Sequence, residues 1–362
     1  MVKLPATTES NLFVKPVCAP LSLMQNPTAW LQAFWRFSRP HTVVGTSLSV
    51  VGLFAIAWAT RHPLGDQPTT LQIWRAITAM LLTWLACLCG NVYIVGLNQI
   101  EDVEIDRVNK PHLPLASGEY SRSQAVLLVL IAGLSALSLA VLSHSLYLIA
   151  TIWLSLAIGT AYSLPPIRLK RFPFWASFCI LAVRGAVVNL GVFLHAAGQL
   201  DIPQTVPVRV WALTLFVLVF SFAIAIFKDI PDIEGDRRYN ISTYTVQLGQ
   251  SAVFNLARWV LTGCYGGLIL SVPFLPGVNR WFLMGVHSLM LGYFWYLSRR
   301  VGLQSSQSQT DQSQVNQSQM TARPSETEPP ADSTISYPAF YQFIWKLFFV
   351  EYLVFPIACW LA

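Results

Sequence analysis

What most restricts this chain is a series of long apolar runs. They fall near positions 41–60, 76–97, 124–142, 146–164, 174–198, 209–227, 252–273, 281–298 and 339–361 of the 362 residues. A helix needs about 20 apolar residues to cross a hydrocarbon core. Lipid offers no partner for a free backbone N–H or C=O, and a helix satisfies both within its own segment. The expected fold is therefore all-α: a polytopic membrane bundle of about nine transmembrane helices. The thinnest division is the turn Ser143-His144-Ser145, between the third and fourth runs. Composition agrees, since only 11% of residues are charged, against about 25% in a soluble domain.

The charges outside the runs alternate. On one side lie Lys3, Lys15, Arg36, Arg39, Arg107, Lys110, Arg122, Arg168, Lys170, Arg171, Lys228, Arg237, Arg238, Arg299, Arg300 and Arg323; on the other lie only Arg61, Arg75, Arg209 and Arg280. That is 16 against 4. Cytoplasmic loops carry the excess of Lys and Arg, so the N-terminus and the loops after the second, fourth, sixth and eighth helices are expected in the cytoplasm. The net charge of +6 calls for no nucleic-acid partner, because the basic residues sit in short clusters between apolar runs. Four parts are expected: a soluble lead-in over 1–35, a transmembrane core over 36–302, a disordered cytoplasmic linker over 303–335, and a last transmembrane helix over 336–362. The lead-in lacks the basic start and apolar core of a secretory signal, and is poor in the Ser and Arg of a plastid transit peptide, as in a prokaryotic protein. In the linker, 12 of the 16 residues from Gln304 to Gln319 are Gln or Ser, a composition that cannot bury enough apolar area to order itself. The six cysteines form no CxxC pair, and read as small buried hydrophobes.

Chemistry concentrates at two places. At the end of the second run stand Asn98, Asp102 and Asp106, spaced i, i+4, i+8. On a helix each step of four passes a full turn by only about 40°, so three oxygen-bearing side chains share one face. At the end of the sixth run stand Lys228, Asp229, Asp232 and Asp236, with Pro231 placed to break the helix and turn the carboxylates toward a cavity. Like charges at that spacing repel, and a divalent cation resolves the repulsion. Both clusters lie on one membrane side, four helices apart, as after an internal duplication that faces them across a central cavity. Oxygen ligands without His or Cys select a hard cation, and Mg²⁺ is usually held by a few carboxylates together with substrate phosphates. Arg107, Lys110 and Lys228 adjoin the clusters. Arg168, Lys170 and Arg171 follow Tyr162 in the loop after the fourth run; they serve either to grip phosphate or only to orient the loop. Arg184 lies inside the fifth run, where a charge is costly and usually functional. It either pairs with an inward carboxylate or binds an anionic substrate.

Asn98-x-x-x-Asp102-x-x-x-Asp106, Lys228-Asp229-x-x-Asp232-x-x-x-Asp236 and Tyr162-Ser163-x-Pro165-Pro166 resemble the UbiA superfamily of intramembrane prenyltransferases. The run from Asn98 to Glu119, Arg168-Leu-Lys-Arg-Phe172, Val183-Arg-Gly-x-Val-Val-Asn-Leu-Gly191 and Lys228 to Arg237 resemble more narrowly the homogentisate prenyltransferases of tocopherol and plastoquinone synthesis, above all the phytyl-transferring ones of cyanobacteria. The resemblance implies nine helices around a cavity, a multi-pass protein of a thylakoid or plasma membrane, bound Mg²⁺, an isoprenoid diphosphate donor and an aromatic acceptor. It implies that Asn98, Asp102, Asp106, Asp229, Asp232 and Asp236 hold metal, with Asp102, Asp106, Asp232 and Asp236 essential to catalysis. Substrate would then meet Arg36, Arg39, Arg107, Lys110, Tyr162, Arg168, Lys170, Arg171, Arg184 and Lys228. The reaction implied joins phytyl diphosphate to homogentisate with loss of CO₂, giving 2-methyl-6-phytyl-1,4-benzoquinol. Solanesyl or geranylgeranyl transfer to homogentisate, and the esterification made by chlorophyll synthase, remain open. A secondary transporter would place its ionisable residues near the midplane, whereas these carboxylates gather at one face.

Overall fold

In the computed structural model, residues 20–63, 66–239, 241–302 and 335–362 are described. Among the described residues nine long helices carry the fold: α2 (Pro40–Arg61), α3 (Thr70–Glu101), α6 (Arg122–Leu142), α7 (Leu146–Ser163), the composite α8–α9 (Pro173–Ile180 and Val188–Gln199), α10 (Val208–Asp229), α13 (Gln250–Ser271), α14 (Arg280–Ser298) and α15 (Tyr337–Trp360). Of these, among the described residues, eight are long and apolar enough to cross a membrane. The exception is α14, whose Arg280, His287, Tyr293 and Tyr296 dilute its apolar content, although it packs between α13 and α15. The division at Ser143-His144-Ser145 is a tight turn, with His144 in the left-handed region at φ 52°.

Local sequence sets the helix starts. Thr69 and Gln72, and again Ser121 and Gln124, form capping boxes at α3 and α6, each satisfying two donors that a helix start leaves free. Asn279 caps α14 through Phe282 N–H at 3.1 Å. Proline opens α2 and α8, where its missing N–H costs nothing.

Contacts among helix ends sort them into two layers. At one layer Arg75 pairs with Asp201 at 2.7 Å, Arg209 donates to Thr60 Oγ1 at 2.7 Å, and Asn279 N–H donates to the Ala358 carbonyl at 2.7 Å. At the other, Tyr337 donates to the Phe227 carbonyl and Gln250 to that of Ile230. Each of these long helices runs from one layer to the other. Outward residues are large and apolar, Leu127, Leu130, Ile131 and Leu134 on α6 among them, as for a surface facing lipid.

The short elements gather at the second layer. They are α1 (Pro27–Phe37), α4 (Val103–Asn109), α5 (Pro114–Ser117), α11 (Ile233–Arg238) and α12 (Tyr244–Leu248). Ala33 and Phe37 of α1 join Leu97, Ile100, Leu115, Tyr120 and Val129 in a small separate core, so residues 27–35 of the lead-in are helical and docked, continuous with the first two residues of the expected core. Val301–Gly302 pairs in parallel with Ile335–Ser336, Val301 opposite Ile335. The linker expected over 303–335 lies, apart from Ile335, outside the described residues.

Candidate active site

The first acidic cluster keeps its helical spacing through a kink. α3 ends at Glu101 and α4 starts at Val103, with Asp102 at φ −113° between them. The i−4 bonds nevertheless continue, from Asp102 N–H to the Asn98 carbonyl at 3.1 Å and from Asp106 N–H to that of Asp102 at 2.7 Å. Asn98 Nδ2 donates to Asp102 Oδ2 at 3.0 Å, so the shared face exists. In the second cluster α10 stops at Asp229, and α11 begins after Pro231 and Asp232; Pro231 ends the helix as its ring and missing N–H require.

The two clusters meet. Lys110, just past α4, bonds the Asp232 carboxylate. Asn109 Nδ2 donates to the Asp232 carbonyl at 3.2 Å, and its Oδ1 accepts from Gly235 N–H at 3.0 Å. Position 235 must be glycine for this clasp, since a Cβ there would lie 2.3 Å from Asn109 Oδ1. Nothing in the spacing of either cluster singles out Asn109, because its partner is 126 residues away.

Cations surround the carboxylates. Arg168 NH2 lies 3.1 Å from Asp102 Oδ1, and Lys170 Nζ lies 2.7 Å from the same oxygen, off the line of a good hydrogen bond. Arg39 NH2 reaches Asn98 Oδ1 at 3.4 Å, and Lys228 Nζ lies 3.2 Å from Asp229 Oδ1. Arg39 and Arg168 both hold left-handed backbone conformations, φ 52° and 40°. Such strain persists only where surroundings enforce it, often at functional sites.

Asp106, Asp232 and Asp236 are buried. Burial raises the Asp106 carboxyl above its usual range against the pull of Arg39 and Lys110. Burial, with Asp229 and Asp232 nearby, pushes Asp236 up to about 7. Burial also lowers the Lys170 ammonium, opposed by Asp102. Among the described residues no three acid, His or Cys side chains converge into a ready cage. The donor set fits a divalent cation even so, because Asp106 Oδ2 is buried without a partner in the field of both Asp102 and Asp232. A hard cation that keeps part of its coordination for phosphate needs no complete cage.

A cavity of about 650 Å³ opens beside these groups. Arg36, Arg39, Asn98, Lys110, Tyr162, Arg184, Lys228 and Asp232 line it. Ile152, Leu156, Ile180 and Val183 form part of its apolar wall. Asp102, Asp106, Arg168, Lys170, Asp229 and Asp236 stand behind that lining, in contact with the groups that form it or within their field. Arg107 and Arg171 are not brought to it. Arg107 pairs with Glu104 at the surface, 2.7 Å away, and Arg171 is exposed on a 3-10 turn that aims Lys170 inward and Arg171 outward. Arg36 lies at the mouth, held by Glu119 at 2.5 Å and the His112 carbonyl at 3.2 Å. Arg184 makes no ion pair among the described residues; its guanidinium lies 4.9 Å from the Trp345 ring and 5.7 Å from that of Phe348. Tyr341, Trp345 and Phe348 line the cavity from α15. Their spacing, i, i+4, i+7, is a helix-face signal that could have marked them.

Fold and cavity define an integral membrane protein whose pocket suits a molecule with a polyanionic head and an apolar body. The chain belongs to the UbiA prenyltransferase family, which it matches over residues 47–316. It is similar to the homogentisate phytyltransferase of Synechocystis sp., with 46% identity over 92% of this chain and 97% of the relative. It is also similar to homogentisate phytyltransferase 1 of Arabidopsis thaliana chloroplasts, with 37% identity over 90% of this chain and 75% of the relative. Among solved structures, a UbiA homolog from Archaeoglobus fulgidus bound to GPP and Mg²⁺ shares the fold, with a TM-score of 0.51 and 16% identity over 90% of this chain and 99% of that one.

Proposed function

We propose that this protein transfers the phytyl group of phytyl diphosphate to homogentisate, releasing diphosphate and CO₂ and forming 2-methyl-6-phytyl-1,4-benzoquinol. The single observation that carries the reading is the clasp of both acidic clusters at the mouth of one apolar cavity. A prenyl diphosphate has the matching form, a polyanion joined to a hydrocarbon tail. The identity of 46% to a homogentisate phytyltransferase supports the choice of donor and acceptor.

Asn98, Asp102, Asp106, Asp229, Asp232 and Asp236 would hold the metal, Mg²⁺. Bound there, it would supply positive charge that helps the diphosphate leave. The chain's own cations add to that charge: Lys110 and Lys170, paired with Asp232 and Asp102, can turn their Nζ toward phosphate oxygens, and Arg39, Arg168 and Lys228 flank the same region. Fixed charges of this kind act most strongly where water is excluded. The apolar wall keeps water from the electron-poor allylic carbon, and the aromatic faces of α15 offer it negative quadrupoles. Arg184 takes the acceptor carboxylate, since its guanidinium can bind a carboxylate through two parallel bonds. We further place the site and the N-terminus on the cytoplasmic side, from the charge bias of 16 to 4.

The test is transfer by purified protein from radiolabelled phytyl, geranylgeranyl or solanesyl diphosphate to homogentisate. Phytyl transfer with one CO₂ per product is expected, abolished by chelation and restored by Mg²⁺. Esterification of chlorophyllide with no product from homogentisate would overturn the acceptor assignment.

A further inference from the structure

The segment 183–191 carries more than its arginine. Residues Leu181–Val187 are π-helical, between α8 and α9. A π turn holds one residue more than an α turn, is rare, and often falls at functional sites. Arg184 sits at its middle. The structure shows what keeps the wide turn open. Asn189 Nδ2 donates to the Gly185 carbonyl at 2.7 Å and to the carbonyl of Arg184 itself at 3.3 Å. Asn189 Oδ1 in turn accepts from Tyr352 Oη–H of α15 at 2.8 Å. Neither side chain has any use for solvent: Asn189 is 0% exposed and Tyr352 1%. On the other face the turn presses on α10, where a Cβ at Gly185 would lie 2.9 Å from Leu218 Cα. The turn is thus held between a backbone contact and a two-link hydrogen-bond chain.

We propose that Asn189 and Tyr352 are positioning residues that hold this π turn and so aim Arg184 into the cavity. If the turn closed to α-helical geometry, the residues before it would rotate by one residue's worth, about 100°. The guanidinium would then leave its place between Trp345 and Phe348. Because Tyr352, Trp345 and Phe348 all come from α15, the last helix sets both the wall against which Arg184 rests and the brace behind it. This rests on the reading of Arg184 as the acceptor-carboxylate group, and it adds two residues that never touch substrate.

The test is a double-mutant cycle on the full-length protein in detergent, with Tyr352→Phe, Arg184→Lys and the pair. Tyr352→Phe removes one hydroxyl and leaves Asn189 Oδ1 buried without its donor. It is expected to raise the KM for homogentisate roughly tenfold, as for an unmatched buried polar group, with kcat and the KM for phytyl diphosphate within about twofold. The rise in unfolding midpoint on adding homogentisate, which needs no turnover, should shrink in parallel. In the Arg184→Lys background Tyr352→Phe should add less than about twofold, because residues acting through one group are not additive. Equal effects of Tyr352→Phe in both backgrounds would overturn the proposal, as would a lowered midpoint with both KM values unchanged. An Arg184→Lys variant with neither KM altered would overturn it too, since nothing would remain to position. If both variants instead raise the KM for the diphosphate and remain non-additive, the brace stands and the acceptor assignment falls. Should Tyr352→Phe fail to fold, Asn189→Ser, which keeps a smaller donor toward the same carbonyls, is held to the same outcomes.

Discussion

At the scale of single residues, the site is a set of carboxylates whose mutual repulsion is only partly relieved by protein cations. Asp102→Asn, Asp106→Asn, Asp232→Asn and Asp236→Asn keep shape and remove one charge. Each is expected to cut turnover at least about 10²-fold, the scale of losing one preorganised electrostatic group; near-normal rates in both the Asp102 and Asp232 variants would return these clusters to solvated loops. Asp236 sets a pH dependence. Its folded pKa, about 7, lies above the ordinary value of 3.8, so the proton it keeps in the fold favours folding at low pH, and that advantage is lost as pH rises through about 7. Without divalent metal the unfolding midpoint should therefore be lower at pH 8 than at pH 6. A metal ligand must be deprotonated, so Mg²⁺ affinity should weaken by up to about tenfold per pH unit below about 7. Titration of the midpoint with Mg²⁺ at both pH values measures the two effects, and a Mg²⁺ response independent of pH would show that Asp236 is no ligand.

At the scale of elements, α14 and α15 are joined by a pair of groups that lipid would not tolerate singly. His287 Nε2 lies 2.9 Å from Glu351 Oε2, both residues 0% exposed, while His287 Nδ1 donates to the Leu283 carbonyl at 2.7 Å. Breaking one partner of such a pair leaves an uncompensated buried polar group, at a cost of about 3–5 kcal/mol, while replacing both by apolar residues can be neutral. Glu351→Leu should lower the unfolding midpoint sharply and His287→Leu/Glu351→Leu should recover most of it; a double variant no better than the single one would show that the pair is not the source of the loss. The pair also marks where reading the sequence stops. Length and hydropathy gave the helices, and the spacing of Asn98, Asp102 and Asp106 gave a shared face, because those signals are local. Partners 64 residues apart, as here, or 126 apart, as in the Asn109–Gly235 clasp, have no local signature. The same limit hid the counter-charges: Lys110 was legible as a cation beside the first acidic cluster and Lys170 as a loop cation for phosphate or for orientation, but their pairing with Asp232 and Asp102 depends on how separate helix ends meet.

At the scale of the whole molecule, the alternation of basic loops and the two layers of helix-end contacts describe the same threading of the chain. Tags at the N-terminus and within 304–330 are expected to be accessible from the cytoplasm, and a C-terminal tag from the opposite face. Protease protection in sealed vesicles distinguishes these, and both termini on one side would require an even number of crossings. Folding must bring a late segment to an early site: α15 packs against α2 and α10 and supplies Tyr341, Trp345 and Phe348 to the cavity.

The small parallel bridge at Val301 and Ile335 bears on how many polypeptides this enzyme needs. It brings the end of the eighth long helix and the start of the ninth side by side at one layer, so the intervening residues are not required to span any distance. The ninth helix is largely enclosed by its neighbours, with 61% of its most apolar window buried, and close packing of that kind is what drives helices to associate within a bilayer. Two gene fragments, one ending near residue 315 and one starting there with its own initiator methionine, should accordingly reassemble into an active two-subunit enzyme when expressed together. Co-purification of an untagged short fragment with a tagged long one, with activity within a few fold of the intact chain, is the expected result. The long fragment alone should be inactive, and if it were active the last helix would have no part in the site.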